Sequence, residues 1–211
     1  MPTIAQHIDE IRNLDVENHT ISGIKKDNWA VLDYPEKNAV QSAIFTNDEI
    51  SLSRSNVKAE TAIKTKIMKV LMWGYKRPNR RNPSLKLFKN VAQHLSDLET
   101  LFSKIQNQNL NAAQIRDTYA NLRTVHGLGP YGIATTSKLF YFFNVSFEDK
   151  KCLILDSRVK ENLNRFDDFP GTDWDAKPKF YPNYLGLMDE LAGIYNVSSE
   201  QLEMFLFGYQ A

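Results

Sequence analysis

Two glycines around a single leucine, with a proline directly behind them, separate two runs of helical spacing. Residues 111–125 lead into His126-Gly127-Leu128-Gly129-Pro130, and Tyr131-Gly132-Ile133-Ala134 opens a second run that ends in Leu139-Phe140-Tyr141-Phe142-Phe143. Glycine at both places permits positive φ and lets a second backbone come within contact distance. Pro130 falls in the first turn of the following helix, where its missing N–H costs nothing. The stretch therefore predicts two helices joined by a tight hairpin. The N–H groups of that hairpin, backed by a helix N-terminus, offer a site for a phosphate oxygen. Leu128 is placed to turn inward and hold the helices together. Taken alone, Gly-x-Gly also fits an ordinary helix–helix turn, so the neighbouring sequence has to decide.

After a short polar loop the chain reads Cys152-Leu153-Ile154-Leu155-Asp156-Ser157-Arg158-Val159. The apolar triplet predicts a buried approach, and Asp156 falls where the next helix, over 157–164, begins. An aspartate there is an N-cap worth about 1 kcal/mol, and folding asks nothing more of it. A carboxylate fixed at a buried edge beside a DNA-docking hairpin also suits glycosidic-bond cleavage. The oxocarbenium-like sugar of that reaction is stabilised by a fixed negative charge and attacked by an activated water. Both readings are open on these residues.

The remaining sequence predicts a mainly α fold. Ile4, Ile8, Ile11 and Leu14 form one apolar stripe of a short helix within 3–17. Residues 57–75 read as one helix ending in Trp73-Gly74-Tyr75, and 84–95 and 97–106 as two more, the first capped by Ser84 or Asn82. The segment 167–184, rich in Asp, Pro, Gly and aromatics, reads as an irregular loop. Helical spacing returns over 184–195, and Ser198-Ser199-Glu200-Gln201 is a capping box that opens a last helix stopped by Gly208. Strand-like alternation is nearly absent, and 19–56 is the least legible part.

With 26 Lys and Arg against 25 Asp and Glu the net charge is +1, too small for the whole molecule to attract a polyanion, so a nucleic-acid surface requires local segregation of charge. Lys76-Arg77-Pro78-Asn79-Arg80-Arg81-Asn82-Pro83 provides it: two prolines forbid a continuous helix, and four cations crowd one loop. Trp73 and Tyr75 directly before it are placed either to grip or replace an extruded base or to anchor the core, and Trp174, Phe180, Tyr181 and Tyr184 are open to the same two readings. A single cysteine, Cys152, excludes an intramolecular disulfide and any cysteine-built zinc or iron–sulfur centre, and fits a reducing cytoplasm. No signal peptide or membrane span is expected. The four histidines, His7, His19, His94 and His126, show no metal spacing and no nucleophile partner.

Residues 111–166 resemble the signature of the helix-hairpin-helix DNA glycosylases, the superfamily of endonuclease III, the adenine glycosylases and the 8-oxoguanine glycosylases. The residues that carry the resemblance are His126-Gly127-Leu128-Gly129, Gly132-Ile133-Ala134 and Leu153-Ile154-Leu155-Asp156-Ser157-Arg158-Val159. It implies a helix-hairpin-helix glycosylase-like fold of two subdomains around a cleft, approximately 57–166, with the hairpin in 111–143, against 1–56 plus 167–211. It also implies a monomer that needs no cofactor or metal and excises a flipped base from DNA in base excision repair, with Asp156 as the catalytic aspartate. Gly127, Gly129, Tyr131 and Gly132 would hold the phosphate backbone together with Lys76, Arg77, Arg80 and Arg81. Two departures matter. The nucleophilic lysine of the family's lyases is replaced by Tyr131, and the frequent four-cysteine iron–sulfur loop is absent, as in the 8-oxoguanine glycosylase-like branch.

Lys138 lies seven residues after Tyr131, so on a helix it falls on nearly the same stripe about 10 Å along, with a side chain that leans back toward the N-terminus. It is either a solvated lysine or a candidate amine nucleophile. The rival reading of the whole chain is a non-catalytic helix-hairpin-helix protein that only binds DNA. If the basic loop grips phosphates, DNA affinity falls steeply with salt. Replacing Arg80 and Arg81 by Ala then weakens binding and lowers the salt slope by roughly two, with little change in base preference. Binding measured by fluorescence anisotropy that is flat in salt would remove DNA as the partner.

Overall fold

The computed structural model describes residues 1–78, 84–124, 132–169 and 181–210, and the described chain is mainly helical. A 3-10 turn, Ile4–His7, runs into α1, Ile8–Arg12, and buries Ile4 and Ile11 of the predicted apolar stripe. Strand β1, Thr20–Lys25, leads into α2, Lys26–Trp29, and α3, Lys37–Ile44, before β2, Glu49–Ser53, returns antiparallel to β1. This ribbon lies in the segment 19–56 that was least legible in the sequence. Its alternation is hidden in the sequence because the register shifts between Ile21 and Ile24, where Gly23 adopts φ +77°, a value that favours glycine.

Helix α4, Arg54–Lys58, starts directly from β2, with Ser53 and Asn56 forming its capping box, and α5 follows over Ile63–Gly74. One continuous helix over 57–75 is therefore incorrect. The chain breaks at 59–62, where the Glu60 carboxylate accepts from the Ala62 N–H at 2.9 Å and from the Lys69 ammonium at 2.6 Å. These bonds give the break its own polar partners.

Helices α6, Ser84–Gln93, and α7, Leu95–Ile105, match the sequence reading. Next come β3, Asn109–Leu110, α8, Ala112–Thr124, α9, Gly132–Phe142, β4, Ser146–Phe147, β5, Lys150–Lys151, and α10, Ser157–Leu163. Strand β4 lies between β3, its parallel neighbour, and β5, its antiparallel one. Helix α11, Tyr181–Tyr195, begins three residues before the expected 184, and α12, Ser199–Gly208, carries the predicted Ser198 capping box. No helix among the described residues is long and apolar enough to cross a membrane.

Helix α9 is buried on nearly all sides. Ile133 and every residue from Thr135 through Phe142 are buried. A helix apolar on nearly all sides has to be enclosed by its neighbours, and α5 packs along α9 while the Phe143 ring stacks on Phe102 at 4.3 Å.

Behind α9 lies a charge network with no exposure at its heart. The Arg54 guanidinium forks onto Glu203, Nη1 to Oε2 at 2.7 Å and Nη2 to Oε1 at 3.2 Å, and both side chains are 0% exposed. Nη1 also donates to the Tyr141 hydroxyl, which donates in turn to Glu200 at 2.8 Å, and Lys151 and Lys58 reach the same carboxylate. Burial works against the Arg54 cation, but Glu203 and Tyr141 hold it charged. Burial likewise presses the Glu203 carboxyl upward, and Arg54 opposes it. The network ties α4, α9 and α12 together. Removing one partner strands a buried charge, so Glu203→Ala should cost about 3–5 kcal/mol in urea unfolding, while Arg54→Met with Glu203→Leu costs clearly less. Additive losses in the double variant would contradict the pairing.

Candidate active site

Asp156 leaves the apolar run in an extended conformation and caps α10, its Oδ1 accepting from the N–H groups of Arg158 at 3.1 Å and Val159 at 3.2 Å. Its other oxygen, Oδ2, accepts from the Lys138 ammonium at 3.2 Å. The two readings of Asp156 are therefore compatible: one oxygen serves the helix and the other faces an amine. The side chains are 5% exposed for Lys138 and 14% for Asp156, so Lys138 is not a solvated lysine.

The position of the carboxylate is set by the extended segment that leads into it. The Tyr181 hydroxyl donates to the Leu153 carbonyl at 2.7 Å, Tyr184 donates to the Ile154 carbonyl at 2.9 Å, and the Leu155 N–H donates to Ser137 Oγ at 3.0 Å. The backbone leading into Asp156 is thus fixed by hydrogen bonds. Ser137 and Lys138 are consecutive on α9, so the same turn of helix that clamps Leu155 also delivers the amine to Asp156. Both tyrosines are buried scaffold. Burial pushes both phenols well above their ordinary range, and it raises the Cys152 thiol to about 12.

The amine is delivered past a glycine. A Cβ built on Gly74, the last residue of α5, would lie 2.9 Å from Lys138 Cδ and 3.2 Å from Cε. Absence of a side chain at 74 is what leaves a channel for the lysine methylenes. Tyr75, next in the chain, donates to or accepts from Thr135 Oγ1 at 3.0 Å and packs edge-on against Phe88.

Lys138 and Asp156 line a cavity of about 660 Å³ together with Trp73, Tyr75 and Lys76 at the end of α5, Ala134 on α9, Ser157 and Arg158 on α10, Phe207 on α12, and His19 and Ile21. Of the residues singled out from sequence, the cavity gathers Asp156, Lys138, Trp73, Tyr75 and Lys76. Arg77 is exposed next to it, and Gly132 opens α9 with φ +55°. Arg80, Arg81, Gly127, Gly129 and Tyr131 lie outside the described residues, as do Asn82, His126, Trp174 and Phe180 and the side chain of Ser84. Trp73 is both anchor and lining, 2% exposed and packed edge-on against Phe142.

Sequence reasoning passed over His19, Phe207 and Arg158 as lining residues and Ser137 as a clamp. His19 stands edge-on to Trp73 at 5.2 Å, and burial, with the Arg54 charge nearby, lowers its imidazole to about 4. The Arg158 guanidinium lies over the Phe207 ring at 5.2 Å. An isolated histidine at the edge of a ribbon hidden by a register shift carries no periodicity that could flag it.

Compared with known proteins, the chain matches, over residues 14–207, the family model described as "Putative 8-oxoguanine DNA glycosylase OGG-like protein". No curated protein and no solved structure matches it.

The contact between residue 74 and Lys138 is testable by a double-mutant cycle. Gly74→Ala should destabilise the parent chain by about 1–3 kcal/mol through overpacking. In a Lys138→Ala background it should be neutral or stabilising, since alanine is the better helix former. Equal effects in both backgrounds would contradict the contact.

Proposed function

Because the chain belongs to the OGG-like 8-oxoguanine DNA glycosylase family, we propose that it is a DNA N-glycosylase that flips a damaged or modified base into the Lys138–Asp156 cavity and excises it. The observation that carries this reading is the 3.2 Å contact between the Lys138 ammonium and Asp156 Oδ2 at the wall of a cavity large enough for a nucleobase. A protein that only binds DNA has no use for a nearly buried amine and carboxylate held together beside an open cavity.

The proposed roles build on that contact. The Lys138 ammonium passes a proton to the Asp156 carboxylate it touches, and the freed amine pair attacks C1′ of the extruded nucleotide. The C1′–N bond breaks as that bond forms, its electron pair leaving with the base, which takes up a proton. Asp156 supplies that proton to the departing base, and the carboxylate so restored stabilises the positive charge left on the sugar–amine adduct. Ring opening then gives a Schiff base, which makes strand cleavage available. This assigns to Lys138 the part that the family's lyases give to the position of Tyr131. If Lys138 only positions the site, water attacks in its place and the product is an intact abasic site.

DNA would be held by the exposed cations beside the cavity, Lys76, Arg77 and Arg158.

The test is a panel of duplexes, each carrying one modified base including 8-oxoguanine, with base release followed after alkali. Asp156→Asn keeps a capping group but loses the charge, so single-turnover release should fall by about 10²–10⁴-fold while DNA binding survives. Lys138→Gln should lose strand cleavage at neutral pH. Undiminished release by Asp156→Asn would contradict the assignment.

A further inference from the structure

The cavity that holds Lys138 and Asp156 has a neighbour. A second cavity, of about 340 Å³, lies between α10 and the end of α12 and shares Arg158 and Phe207 with the first. Arg165 and Gly208 line this second space. We propose that it is a phosphate subsite for the DNA strand that carries the extruded nucleotide, with Arg165 as its principal cation; this rests on the glycosylase reading above.

A flipped nucleotide stays joined to its neighbours, so the backbone has to leave the base cavity across one of its rims. The rim made by Arg158 and Phe207 is suited to that crossing. The Arg158 guanidinium lies over the Phe207 ring at 5.2 Å, and a contact of that kind steadies the side chain without using one of the N–H donors that a phosphate needs. Among the described residues the arginines held in ion pairs are Arg12, Arg54 and Arg116. Arg158 and Arg165 are both exposed and are not among them. Glu161, the acidic residue of the lining, stands between them in the chain.

The end of α12 is prepared for an anion as well. The last carbonyls of a helix carry partial negative charge and repel a phosphate. Asn162, 4% exposed, donates from Nδ2 to the Leu206 carbonyl at 2.7 Å and to the Tyr209 carbonyl at 3.0 Å, and the Tyr209 N–H donates to the Phe205 carbonyl at 2.8 Å. Those acceptors are thereby occupied. Gly208 adds no side chain, and a Cβ built on it would meet no atom within 4 Å. A charge can therefore be placed at 208 without a clash.

That freedom supplies the test. Parent, Arg165→Ala, Gly208→Lys and Gly208→Glu are compared for binding to a duplex carrying a tetrahydrofuran abasic-site analogue, by fluorescence anisotropy across a salt series. Arg165→Ala should weaken binding about tenfold at about 0.1 M salt and lower the salt slope by about one. Gly208→Lys should strengthen binding and steepen the slope, and Gly208→Glu should do the opposite, whereas mere filling of the space would move both variants the same way. Neutral methylphosphonates placed one at a time beside the abasic site should weaken the parent at one flanking phosphate that Arg165→Ala no longer senses. Unchanged affinity and slope in Arg165→Ala, or changes of the same sign in the two Gly208 variants, would overturn the subsite while base release by the parent continued. Failure of the parent to bind the abasic duplex or release any modified base would instead remove the glycosylase reading, and this proposal with it.

Discussion

The contact between Lys138 and Asp156 is the constraint to which the rest of the structure answers. Taking an ammonium and a carboxylate out of water costs several kcal/mol for each ion, recovered only if geometry and further hydrogen bonds are good. Asp156 meets that condition by dividing its oxygens, one on two N–H groups of α10 and one on the amine. Lys138 meets it by threading past Gly74 from a helix buried on nearly every side. The tyrosines of α11 and the hydroxyl of Ser137 hold the segment 153–155 so that the carboxylate stays in reach.

A second buried ion pair, Arg54–Glu203, stands behind the first and differs from it in kind. It is closed on all sides, forked and backed by Tyr141, and so serves to lock α4, α9 and α12 together. Its guanidinium lies behind Trp73 and helps keep His19 neutral. Structural charge thereby sets the character of one cavity wall while the Lys138–Asp156 pair sets the other.

How much of this the sequence disclosed depends on the range of each signal. The helices, the Ser198 capping box and the cap at Asp156 rest on contacts within one turn and were legible. The β1–β2 ribbon was not, because Gly23 shifts the register and erases the two-residue alternation. The break at 59–62 depends on Glu60 meeting Lys69 across it, which periodicity cannot show. Lys138 could be placed on a stripe but not in a cavity, since its burial depends on Gly74 from another helix. His19 gave no signal at all: its meaning comes from Trp73, more than fifty residues away in the chain. Tyr181 and Tyr184 lay open between packing and base pocket, and the carbonyls they reach, those of Leu153 and Ile154, decide for packing.

In the proposed reaction the amine beside Asp156 is the group that meets the sugar. Borohydride reduction during turnover, followed by protease digestion and mass spectrometry of the adduct, locates the attachment atom directly. A sugar remnant is expected on Lys138. A remnant on Lys76 or the N-terminal amine, or base release with no adduct at all, would contradict it.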